Sequence, residues 1–137
     1  MAKWLTLSAA ALLATSLSSV ALAQGGMDMT QMTQKEVGTA QAHAIMAQGA
    51  QNLKMSHTHL HHVINCLVGP EGSAFDANAA NPCAKLGNGA LPDSKGNEAL
   101  HNRLDKALAA AQEGLKTTEL KASQADAAKV ADILKTD

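Results

Sequence analysis

Aromatic side chains are almost missing from this chain: it has no tyrosine, one phenylalanine (Phe75) and one tryptophan (Trp4) in 137 residues. Without aromatic platforms there is nothing on which successive bases could stack, which argues against a nucleic-acid binder. A β-sandwich, which draws on aromatic and β-branched residues, is equally disfavoured. The charge is close to balanced, −1 overall, and no basic run occurs. Electrostatics therefore gives no reason to expect nucleic acid or an anionic membrane surface as partner. Catalytic signatures are missing as well: no H-E-x-x-H, G-x-S-x-G or C-x-x-C-H motif is present. The expectation is a protein that is not an enzyme.

Long apolar stretches are confined to the start. Lys3 supplies a positive charge, residues 5–20 are apolar or small, and Ala21-Leu22-Ala23 has the small-x-small pattern of a cleavage site. Residues 1–23 read as a Sec-type signal peptide, with the mature chain starting at Gln24 and exported to a periplasm. No later segment approaches the roughly 18 apolar residues that a membrane span requires, so the mature chain is expected to have no span. Trp4 leaves with the leader, as does Lys3. The mature part then carries ten basic and twelve acidic residues.

Only two cysteines occur, Cys66 and Cys83. An exported chain meets an oxidising compartment, and pairing them would close a loop of about 18 residues, a stabilisation of roughly 3 kcal/mol in the chain-entropy picture. The alternative is a thiolate acting as metal ligand or redox centre. An even count without C-x-x-C favours the structural disulfide.

What the chain has in quantity is alanine and leucine at helical spacing. Residues 24–32 read as a flexible tail containing Met27, Met29 and Met32, and residues 33–137 as one domain. Thr33 and Glu36 form a capping-box pattern ahead of Val37, Ala40, Ala44 and Ala47. A second stripe follows at Leu53, Leu60, Val63, Ile64 and Leu67, displaced by nearly half a turn. That displacement predicts two helices, 33–49 and 52–68; one continuous helix is the rival reading. Gly69-Pro70 stops the second. Residues 69–96 hold all three prolines and read as a long crossover loop. Asn97 caps a third helix (97–115), and Gly114 with Thr117 and Thr118 marks a turn into a fourth (118–135). The expected fold is all-α, a four-helix bundle of two αα-hairpins joined by a disulfide-pinned crossover.

Chemistry concentrates between His57 and Cys66, where His57, His59, His61 and His62 fall within six residues. Imidazole is the commonest metal-ligating side chain. His57 and His61, four apart, project from one side of a helix and form the leading candidate pair, with His59 and His62 on another face. One helix therefore offers two pairs and no complete cage. Further ligands would come from His43 or His101, or from the thioethers of Met46 or Met55. The Met27, Met29 and Met32 pattern could likewise hold soft Cu(I), and tilts the choice of metal toward copper over zinc or nickel.

The Ala42-His43-Ala44 segment, the His57–His62 run and the stretch from Leu104 to Leu134 with Gly114 together resemble the small metal-binding proteins of bacterial periplasms. That resemblance implies a four-helix bundle and metal binding. Members carry histidines on all four helices, whereas here Ala122 and Ala125 stand in the fourth, which has none. Two other readings stay open: a non-catalytic periplasmic interaction module whose histidines sense pH, and, less well supported by so few aromatics, a b-type haem bundle.

Overall fold

The computed structural model describes residues 28–135; the expected leader over 1–23 and Met27 lie outside the described residues. Among these residues all regular structure is helical: α1 (Met29–Gln48), α2 (Leu53–Val68), the single-turn α3 (Ala90–Asp93), α4 (Glu98–Lys116) and α5 (Leu120–Leu134). Helix α1 packs against α2 and α5, and α4 packs against α5 and α2. Leu60, Leu67, Leu104, Leu134, Val37, Val63 and Val130 fill the space between them, with Ala40, Ala44, Ala47, Ala107, Ala111 and Ala127 where helices meet closely.

The helix limits follow their caps. Gly49 closes α1 by donating its N–H to the Ile45 carbonyl, and the Asn52 side chain accepts from the Met55 N–H to open α2. This break excludes one continuous helix. The Asn97 side chain caps α4 through the Leu100 N–H, as its sequence predicts.

Three expectations are corrected. Helix α1 begins at Met29, capped by the Asp28 carboxylate on the Gln31 N–H at 2.8 Å, so Met29 and Met32 lie on a helix and not in a flexible tail. Thr33 and Glu36 are no capping box. The Thr33 hydroxyl donates within the helix to the Met29 carbonyl at 2.7 Å, as threonine readily does, and Glu36 is fully buried. The S/T-x-x-E pattern is blind to this difference, because the same spacing also places both residues on one buried face. Gly114, expected in a turn, lies inside α4. A Cβ there would sit 2.7 Å from Leu60 Cδ1, so the glycine admits α2 against α4, and the turn falls later, at Thr117–Glu119.

The one helix in segment 69–97 is α3; turns pair part of its backbone, and side chains of α1 and α2 pair several further groups. Cys66 and Cys83 are disulfide-bonded and both buried. The neighbouring Asn65, fully buried, accepts from the Asp76 N–H at 2.9 Å and donates to the carbonyls of Asp76 and Ala80 at 3.0 and 3.2 Å. Glu36 Oε1 accepts from the Gly89 N–H at 2.9 Å. Where the chain crosses itself, Gly69 and Gly89 both adopt positive φ, and a Cβ on Gly69 would collide with the Asn88 carbonyl.

Replacing Asn65 with alanine removes these hydrogen bonds and leaves the backbone groups of Asp76 and Ala80 without their side-chain partner. The expected loss is about 3 kcal/mol of unfolding free energy, read from urea denaturation with the disulfide intact. A change under about 0.5 kcal/mol, the scale of an ordinary surface substitution, would show that Asn65 does not hold this segment.

Candidate metal centre

Helices α1 and α2 are joined by four residues and run antiparallel, as so short a connection requires. Their separation is set by small side chains: Ala40, Ala44 and Ala47 of α1 are fully buried. The Ser56 hydroxyl donates to the Ala47 carbonyl at 3.1 Å and pairs with the Ser123 hydroxyl at 2.8 Å, fixing the register near the turn. Along α2 the residues Met55, His59, His62 and Cys66 recur at intervals of four, three and four, and so share one flank. That flank faces α1.

The result is a three-histidine cluster across the seam. His43 Nδ1 on α1 lies 3.2 Å from His59 Nδ1 and 3.3 Å from His62 Nδ1. The rings are 5.4, 4.8 and 5.7 Å apart between centroids. One ligand atom from each histidine falls within 4.8 Å of the others, and all three residues are partly buried. Among the described residues this is the one group of three or more His, Cys, Asp or Glu close enough to hold an ion.

These distances suit metal coordination. Two nitrogens bound tetrahedrally at 2.0–2.1 Å from one zinc ion stand about 3.4 Å apart. A neutral imidazole nitrogen has either one N–H or one lone pair, so His43 Nδ1 can make a single well-directed hydrogen bond, yet two ring nitrogens approach it. A cation in their midst would satisfy all three lone pairs together.

Burial and neighbouring charge disfavour the doubly protonated, charged form of His43 and His62. Partial burial, and then the neighbouring His62 and His59, push the pKa of His43 below the usual histidine range. Burial, then His59 and His61, do the same for His62.

The other expected ligands are placed elsewhere. His57 and His61, the leading pair by spacing, lie on the opposite flank of α2 and do not join this group. His61 Nδ1 instead meets Asp76 Oδ2 at 3.1 Å, tying α2 to the 69–97 segment, and His57 Nε2 is buried without a hydrogen-bond partner. His101 Nδ1 contacts the Ser94 hydroxyl at 2.9 Å. Spacing within one helix gives pairs but not the flank on which a third ligand arrives; that depends on where α1 docks.

Glu36 is the functional-looking residue that spacing hid. Burial, with Asp93 adding to it against the opposing Gly89 hydrogen bond, raises its pKa to about 7; its second oxygen has no partner. Because the folded state holds this proton more tightly than an ordinary carboxyl, with its pKa of 4.5, Glu36 contributes stability that is complete below about pH 4.5 and is lost as pH rises through about 7. The lowered pKa values of His43 and His62 act oppositely: their contribution is complete above about 6.5 and is lost as pH falls through the folded values. In metal-free buffer the melting temperature is expected to fall on both sides of a maximum. Glu36→Gln should flatten the alkaline side and His43→Ala the acid side; unchanged profiles in both variants would refute these assignments. No family model matches this chain, and no curated protein or solved structure matches it either, so the geometry of the three histidines is the ground for its function.

Proposed function

We propose that this protein binds a transition-metal ion through His43, His59 and His62 and serves as a metal-binding or metal-buffering protein of the periplasm, without catalysis. The observation that carries the reading is the convergence of three imidazole nitrogens from two helices. Imidazole donors suit Zn(II), Cu(II) and Ni(II). A structural zinc site is closed by four protein ligands, whereas three leave a position open. An open position lets an ion be accepted and handed on, as a buffer requires. Depressed histidine pKa values support the same reading, since coordination needs the neutral ring. The leader-like residues 1–23 and the buried disulfide fit an exported protein. We further read α1, α2, α4 and α5 as a four-helix bundle whose two hairpins are joined by a crossover over 69–97, in keeping with the resemblance to small periplasmic metal-binding proteins.

Calorimetric titration of the untagged mature protein with Zn(II), Cu(II) and Ni(II) tests this. A dissociation constant below about 100 μM is expected for at least one ion, weakened at least about tenfold in His43→Ala/His59→Ala. The His57→Ala/His61→Ala variant should bind as the wild type does. Weaker binding by the wild type, or equal loss in both variants, would overturn the assignment.

A further inference from the structure

We propose that the seam between α1 and α2 also accepts Cu(I), with Met46 and Met55 supplying thioether ligands beside the histidines; this rests on the three-histidine reading. Met46 follows His43 by three residues on α1, and Met55 precedes His59 by four on α2. Each methionine therefore stands on the flank of its own helix that bears the histidines, about one turn away. In an antiparallel pair, one turn toward the end of α1 and one turn toward the start of α2 lead to the same place, the end of the seam beside the 49–52 turn. The two thioethers thus bracket one end of the cluster.

Their exposure supports a role other than packing. Met46 is 49% and Met55 43% exposed, among the most exposed large apolar residues described. Residues this exposed contribute only part of the apolar burial of a core side chain, whereas Val37 of α1 and Leu60, Val63, Ile64 and Leu67 of α2 are buried. Methionine is unbranched, so rotation about its first two side-chain bonds moves the sulfur along the seam without moving the backbone. Thioethers are soft donors that select Cu(I), while imidazole serves Cu(I), Cu(II) and Zn(II) alike. The histidines then supply affinity common to several ions, and the methionines supply preference for Cu(I).

Anaerobic competition titration with a chromogenic Cu(I) chelator, alongside Zn(II) calorimetry, separates the two contributions. Met46→Leu/Met55→Leu keeps size and apolarity at exposed positions. It should weaken Cu(I) binding at least about tenfold while leaving Zn(II) affinity within about twofold. X-ray absorption of the Cu(I) form should show copper–sulfur scattering that this variant loses. His43→Ala/His59→Ala should lose both metals. Unchanged Cu(I) affinity in the methionine variant, or a wild type that binds Zn(II) but not Cu(I), overturns the thioether inference alone. A wild type that binds neither of these metals, nor Cu(II) or Ni(II), overturns the three-histidine reading with it.

Discussion

The close approach of α1 to α2 is the constraint on which the rest depends. Alanines at 40, 44 and 47 present almost no side chain to the neighbouring helices, so the inter-helix distance is set nearly by backbone. At that distance an imidazole on one helix reaches two on the other, as His43 reaches His59 and His62. Larger residues at these alanines would have to be accommodated by helix displacement or strain in a close-packed interior, and the ring nitrogens would part. Close packing and the convergence of the three histidines are here consequences of one choice of small side chains.

The same seam organises the segment 69–97. From the turn end it carries Met46 and Met55, then the three histidines, then Glu36 and the Cys66–Cys83 disulfide. His62 and Cys66 are one turn apart on α2. Anchoring the segment through Asn65, Cys66 and Glu36 therefore stiffens the helices just beyond the histidines. A chain with so few aromatic residues has little large apolar surface with which to order a long connection. It uses a covalent bond and buried amide and carboxyl groups instead, with directional bonds replacing hydrophobic area.

Glu36 and the histidines draw on burial in opposite senses. Burial favours the neutral form of each: the carboxyl keeps its proton and His43 and His62 give theirs up. Near neutral pH the uncharged imidazole is the form a metal requires. The expected acid limb of stability then comes from protonation of His43 and His62, while the alkaline limb belongs to Glu36 and its support of the 69–97 segment.

Much of the architecture was legible in the residues. Apolar stripes, the stop at Gly69-Pro70 and the cap at Asn97 marked α2 and α4 closely, and the displacement between stripes separated α1 from α2, because caps and periodicity are local properties of the backbone. The start of α1 and the place of Gly114 were misread for the reverse reason. Thr33, Glu36 and Gly114 look like end signals locally, but their roles come from partners 53 to 60 residues away: Asp93 for Thr33, Gly89 for Glu36 and Leu60 for Gly114. The sequence by itself determined the all-helical class of the described residues, the pairing of the two cysteines and a histidine-rich α2 with two ligand faces. Which face forms the candidate site was decided only by tertiary structure, since coordination needs nitrogens from more than one helix and only docking puts α1, with His43, beside His59 and His62.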